Sequence, residues 1–167
     1  STKKGKLWLV EKGSTKSAIE GLPEITYGGQ GGLGDILPHP NFKQNNLLYL
    51  SYVASENNGR TRGAKVIRAQ LKNGKLHNHQ VIWEQLPHTT GRGHFSHRLA
   101  FGPPESAQKG MLFISSGDRQ IMHPAQTLDN NLGKIIRLHD DGRIPIDNPF
   151  AKRGFPANTI WSLGHRN

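Results

Sequence analysis

The chain has 167 residues, enough for one domain with a hydrophobic core. Only 34% of the residues are hydrophobic, whereas 20 are glycine and 10 are proline, a balance that indicates many turns and short elements rather than long helices. The sequence has no cysteine and no apolar run long enough to cross a membrane, and its net charge of +10 comes from scattered lysines and arginines. Composition therefore excludes disulfides and a membrane span, and it gives no nucleic-acid-binding signature.

Short apolar segments bounded by turn residues predict β-strands along the whole chain. In chain order these segments are residues 6–13, 46–54, 63–71, 80–86, 97–102, 110–118 and 134–142. The sequences "KNGK" at 72–75 and "DDGR" at 140–143 contain the Asn-Gly and Asp-Gly pairs typical of tight hairpin turns. Since no amphipathic helical stretch accompanies them, the sequence predicts an all-β fold.

A weak internal repeat organises these strands. Residues 35–52 align with residues 99–116, so that Tyr49 matches Phe113 and Pro40 matches Pro104. Each copy reads as an apolar strand, a turn containing proline and a second apolar strand, and a poorer third copy lies near residue 5. Repeated β-units of this kind favour a β-propeller, in which each blade is a four-stranded sheet. A β-sandwich is the structural alternative.

The length of the chain limits how much of a propeller it can form. A propeller needs at least four blades of about 40–50 residues each, and this sequence supplies about three. The last residues, "TIWSLGHRN" at 159–167, look like the first strand of a further blade. We therefore expect residues 1–167 to be a partial β-propeller domain, incomplete at the C-terminus and also at the N-terminus.

Five blocks of sequence, in order along the chain, resemble one family. The chain is similar to the soluble aldose sugar dehydrogenases that depend on pyrroloquinoline quinone, the glucose/sorbosone dehydrogenase family. The blocks are residues 28–53, 94–101, 112–119, 125–150 and 160–167. The resemblance implies a six-bladed propeller and an oxidoreductase that oxidises aldoses at C1, using the quinone and Ca²⁺.

His94, in "GRGHFSHRLAF", matches the catalytic base of that family. An imidazole titrates near neutral pH, so it suits the removal of a proton from the C1 hydroxyl while the quinone takes the hydride. Ser96 and His97 stand where the family usually has glycine, and Gly34 stands where it usually has leucine. A zinc site built on His94 and His97 is disfavoured, because residues three apart lie on opposite faces of a strand.

Four more residues match positions at the family's cofactor and sugar site. Gln30, in the glycine-rich "GGQGGLGD", corresponds to a glutamine that contacts both quinone and sugar. Arg166 and Asn167 correspond to a pair that binds the quinone, whose three carboxylates suit a guanidinium. Asp118 matches an aspartate near the sugar pocket, although a turn residue after a strand is an equal interpretation.

The resemblance also sets the partners that we expect. The partners are an aldose and an external electron acceptor, and the expected location is periplasmic or secreted. The calcium ligands of the family fall beyond residue 167, so we expect no metal ligand in this chain. Residues 1–167 alone should be inactive. Two other classes stay open: a non-catalytic propeller that binds a carbohydrate or protein, and, from the charge alone, a nucleic-acid-binding β-domain.

Overall fold

The computed structural model describes residues 1–10, 13 and 15–167. Ten β-strands dominate these residues, which confirms the predicted all-β class. One short α-helix and three 3₁₀ turns, which the sequence did not predict, accompany them. The strands are β1 (Trp8–Leu9), β2 (Ser17–Ala18), β3 (Leu33–Pro38), β4 (Leu47–Glu56), β5 (Thr61–Lys72), β6 (Lys75–Glu84), β7 (Ser96–Phe101), β8 (Leu112–Ser116), β9 (Lys134–Leu138) and β10 (Ile160–Leu163). The helix α1 spans Phe42–Asn45, and the 3₁₀ turns span His123–Gln126, Ala151–Arg153 and Ala157–Thr159.

Strands β3 to β6 form an antiparallel four-stranded sheet in sequence order. The turn between β5 and β6 is the predicted Asn-Gly turn, with φ of 51° at Asn73 and 72° at Gly74. Positive φ at both central residues gives the tight hairpin that matches strand twist, so this prediction is confirmed. Strand β4 is buried over six successive residues from Leu48 to Val53, because it lies inside the sheet with packed elements on both faces.

Strands β7 to β10 form a second four-stranded antiparallel sheet. Its last strand corrects one prediction: β10 pairs with β9 in this sheet and is not the first strand of a further blade. The long connection between β9 and β10 folds into 3₁₀ turns and brings Ile160 back into the core. The "DDGR" segment is a turn, closed by a hydrogen bond from the His139 N–H to the Arg143 carbonyl. It does not make the predicted tight hairpin, because the next strand that pairs with β9 is β10, which begins only at Ile160.

The internal repeat corresponds to the first two strands of each sheet. Both strand pairs carry a register irregularity at the same place, between Leu33 and Ile36 in β3 and between Ser96 and Leu99 in β7. The two first strands also lie side by side, since the Leu99 N–H donates to Asp35 Oδ2 at 3.0 Å. Neighbouring blades of a propeller meet in this way around the central channel.

A shared core packs between the two four-stranded sheets. It contains buried side chains from both of them, and its members are Tyr49, Ala64, Val66, Trp83, Leu99, Leu112, Ile114, Ile136, Leu138 and Ile160. A second apolar cluster lies under the β1–β2 hairpin and includes Leu7, Ile19 and Leu33. The predicted strand at 6–13 is reduced to β1, and its residues 11 and 12 lie outside the described part of the chain.

No helix in the described ranges is long and apolar enough to cross a membrane.

Candidate functional site

Two polar segments meet at one end of the second sheet. One precedes β7 and contains His94, and the other follows β8 and contains Asp118. Because β7 and β8 are antiparallel, the start of one strand lies beside the end of the other. Backbone bonds join the segments directly: the Gly117 N–H donates to the Phe95 carbonyl, and the Arg119 N–H donates to the His94 carbonyl.

His94 and Asp118 form a close side-chain pair. Nδ1 of His94 lies 2.7 Å from Oδ1 of Asp118, and the exposed fractions of the two side chains are 14% and 3%. The Gln120 N–H also donates to Oδ1, at 2.8 Å. A carboxylate only accepts hydrogen bonds, so the contact selects the tautomer of the neutral imidazole that has its proton on Nδ1 and a lone pair on Nε2. That arrangement leaves Nε2 able to accept a proton.

Gln30 is anchored to the segment that carries His94. The side-chain Oε1 of Gln30 accepts a hydrogen bond from the backbone N–H of His94 at 2.7 Å. The backbone N–H of Gln30 donates to the Arg92 carbonyl at 2.9 Å. A side chain at Gly29 would overlap the backbone of Arg92, so this close approach requires the glycine. The side chain of Gln30 itself is exposed, beside His94.

The end of the chain reaches the same site. The Arg166 carbonyl accepts a hydrogen bond from the Asp118 N–H at 2.8 Å. Asn167 Oδ1 lies 3.2 Å from the position that a Cβ would occupy at Gly117. Both residues are exposed. The structure thus brings together all five residues that the resemblance singled out, although they span positions 30 to 167.

Sequence reasoning missed Arg119, which holds the loop before His94 in place. Its buried guanidinium donates to the carbonyls of Gly91, Gly93 and Arg62. It also lies over the Phe95 ring, with 3.6 Å from its central carbon to the ring centroid. Burial, together with nearby Arg62, lowers the pKa of Arg119 to about 10. The only sequence signal was its position directly after Asp118.

The backbone around the site is strained. His94, Ser96 and His97 have φ of 46°, 59° and 52°, the left-handed region that favours glycine. Ser96 and His97, which stand where the family usually has glycine, therefore have the backbone conformation that glycine favours. Such conformations cost about 1–3 kcal/mol each and persist where the surrounding structure imposes them.

His97 and Gly34 compensate for each other. The buried His97 ring fills the space that a side chain at residue 34 would need, since a Cβ there would overlap the imidazole. Its Nδ1 lies 3.0 Å from Ser51 Oγ. In the sequence, Gly34 and His97 are two separate differences from the family pattern. In the structure they are coupled, because the larger side chain on β7 occupies the space left by the missing side chain on β3.

Acid should destabilise the fold through His97. Burial lowers its pKa from 6.5 to about 4, so between these values the unfolded chain binds a proton that the folded chain does not. The stabilisation is present above pH 6.5 and is lost as the pH falls towards 4, with a decrease of about 3 kcal/mol in the free energy of unfolding. Denaturant titrations from pH 7 to 4 should show a shallower pH dependence for His97→Gln, and equal slopes would contradict this account.

Comparisons with known proteins identify the class. The family model for glucose/sorbosone dehydrogenases matches residues 1–167. Aldose sugar dehydrogenase YliI of Escherichia coli (strain K12) is 36% identical over 162 residues, covering 96% of this chain and 42% of that protein. Quinoprotein glucose dehydrogenase B of Acinetobacter calcoaceticus is 31% identical over 182 residues, covering 94% of this chain and 36% of the relative.

A solved glucose dehydrogenase structure superimposes on the whole of this chain and on 48% of its own chain, with a TM-score of 0.92 and 34% identity. The fold is therefore part of a β-propeller, and the sandwich alternative is excluded. The chain belongs to the glucose/sorbosone dehydrogenase family. It spans half or less of the length of these relatives.

Proposed function

We propose that the complete protein is a quinoprotein oxidoreductase that oxidises an aldose at C1, with His94 as the general base. The observation that carries the proposal is the 2.7 Å contact between His94 Nδ1 and Asp118 Oδ1, which leaves Nε2 as a proton acceptor. The similarity to an aldose sugar dehydrogenase and to a quinoprotein glucose dehydrogenase supports the substrate class and the cofactor.

His94 performs the proton transfer in this proposal. The C1 hydroxyl of the sugar gives its proton to Nε2 as the C1–O bond becomes a carbonyl. When bound, pyrroloquinoline quinone supplies the electrophile that accepts the hydride from C1. The strained backbone at His94 and its bond to Gln30 fix where the imidazole projects, so the base is positioned before substrate arrives.

Asp118 orients the base. Its buried carboxylate holds the Nδ1 proton and places a negative charge beside the imidazolium that forms when Nε2 is protonated. The resemblance matches Asp118 to an aspartate near the sugar pocket. Because the Asp118 side chain is only 3% exposed and contacts His94, its position supports orientation of His94 rather than binding of the sugar.

Three exposed residues would hold the quinone. Arg166, Asn167 and Gln30 offer a guanidinium and two carboxamides around His94, a donor set that fits a flat ligand with carboxylates and carbonyls. Arg92, whose carbonyl is bonded to Gln30, adds a second exposed cation that sequence reasoning did not single out. The proposal also includes Ca²⁺ bound by residues outside this chain, an external electron acceptor and a periplasmic or secreted location, all implied by the family.

Quinone reconstitution tests this assignment. Arg166→Ala in the complete protein should weaken quinone binding more than Gln30→Ala, because it removes a charge-assisted contact rather than a neutral one. The measurement is a titration of the quinone-free protein, followed by the recovery of dye-linked sugar oxidation. Arg153→Ala, an exposed arginine in a 3₁₀ turn, is the matched control. A titration curve for Arg166→Ala that overlays the wild-type curve would remove Arg166 from the quinone site.

A further inference from the structure

A second cluster of titratable side chains lies at one end of the first four-stranded sheet. Glu56 ends β4 and Glu84 ends β6, and these two strands run in the same direction on either side of β5. Lys65 of β5 lies between them, and His88 follows in the segment after β6. None of the four residues belongs to the site around His94.

The imidazole of His88 faces both carboxylates. The side chain of His88 is 6% exposed, with Nε2 at 2.9 Å from Glu84 Oε1 and Nδ1 at 3.2 Å from Glu56 Oε2. Within the described ranges of the chain, neither ring nitrogen of His88 has a hydrogen-bond partner in acceptable geometry. Buried polar atoms are rarely left in this condition, so the cluster requires an explanation.

A glycine makes room for this imidazole. A Cβ on Gly63, inside strand β5, would overlap His88 Cδ2. Glycine weakens the interior of a strand and is typical of places where another group approaches the backbone closely. The sheet therefore accommodates the ring directly over its backbone.

The charges of the cluster favour a further cation. Lys65 Nζ lies 2.8 Å from Glu84 Oε1 and 3.5 Å from Glu56 Oε1, so one ammonium is shared by two carboxylates. A neutral imidazole has one N–H, which means that one of its nitrogens would turn a lone pair towards a carboxylate. A metal ion bound to that lone pair replaces the repulsion between the lone pair and the carboxylate by an attraction to both groups.

We propose that His88, Glu84 and Glu56 bind a first-row divalent transition-metal ion, with Zn²⁺ as the representative. Their ligand atoms lie within 4.8 Å of one another. Two ligands of one zinc ion are at most about 4.3 Å apart, so small side-chain rotations complete the site, and Glu56 is exposed enough to make them. One imidazole with two carboxylates suits zinc, whereas Ca²⁺ and Mg²⁺ prefer oxygen ligands alone.

The ion would fix the segment that leads to His94. Thr89, next to His88, exchanges backbone hydrogen bonds with Arg62, whose carbonyl also accepts a bond from Arg119. Arg119 in turn holds the loop at Gly91 and Gly93. The site is therefore structural, separate from any calcium at the quinone, and does not depend on the proposed dehydrogenase activity.

Metal titration of the complete protein, stripped of metal and quinone, tests the proposal. We expect calorimetry to detect a Zn²⁺ equivalent whose affinity falls about tenfold or more in His88→Asn and in Glu84→Gln. His79→Asn replaces an exposed histidine on β6, the strand that also carries Glu84, and this variant should bind zinc like the wild type. Co²⁺ in place of Zn²⁺ should give visible absorption bands that both cluster variants lose, and Ca²⁺ should not compete for this equivalent.

Several results would overturn the site. These are no zinc binding, binding that both cluster variants retain at full affinity, or binding that His79→Asn removes. Glu84→Gln keeps the size of the side chain, so a folded variant with unchanged zinc affinity would be decisive even if His88→Asn fails to fold. In any of these cases the cluster is a purely polar network in which Lys65 and His88 contact the two carboxylates.

Discussion

Replacing His94 with asparagine should lower the turnover number of the complete protein by about 10²–10⁴-fold. Asparagine keeps the backbone N–H that binds Gln30, but it has no group that accepts a proton near neutral pH. Quinone affinity should change little, because the donor set of Arg166, Asn167 and Gln30 stays intact. Stopped-flow and steady-state sugar oxidation with a dye acceptor, alongside quinone titration, measure the two effects separately.

His77→Asn provides the matched control for this variant. His77 is an exposed histidine on β6, outside the site, and its replacement should leave turnover unchanged. A His94→Asn protein that turns over within threefold of the wild type would remove His94 from the mechanism.

Replacing Asp118 with alanine should produce the second largest loss, about 10²-fold or more in turnover number. The variant loses the acceptor that holds the Nδ1 proton and the charge that stabilises the imidazolium. Asp118→Asn should be milder, since its amide oxygen still accepts from Nδ1–H and from the Gln120 N–H. The KM for the sugar should stay close to the wild-type value in both variants, because the carboxylate is buried behind His94.

The division between turnover number and KM distinguishes the two roles considered for Asp118. A large rise in KM with turnover retained would show that Asp118 contacts the sugar, as the family resemblance implied, and would contradict the orienting role. A loss of turnover in Asp118→Ala that Asp118→Asn partly restores supports orientation of His94.

Local patterns in the sequence predicted most of the fold. Short apolar segments marked seven of the strands, and the Asn73–Gly74 pair marked the β5–β6 turn, because these signals act over a few residues. The position of β10 could not be found in this way. Its partner β9 lies before a long irregular connection, and no local signal distinguishes the last strand of one blade from the first of the next.

The candidate site residues come from family resemblance rather than from a physical pattern, and their roles stay predictions. His94, Gln30, Asp118, Arg166 and Asn167 are far apart in the sequence. The pairing of β7 with β8 and hydrogen bonds between loops bring them together. Two features that the sequence did not predict are contacts between buried groups. The contact of Arg119 with three carbonyls and the exchange of volume between Gly34 and His97 exist only in the packed fold.

The most direct test is dye-linked oxidation of aldoses by the complete protein, before and after addition of pyrroloquinoline quinone and Ca²⁺. We predict no oxidation by the quinone-free protein, restored oxidation of at least one aldose after addition, and conversion of C1 to the lactone. Stoichiometric quinone binding without oxidation of any aldose, or sugar binding that is unaffected by the quinone and never followed by turnover, would contradict the account and leave a carbohydrate-binding propeller in its place.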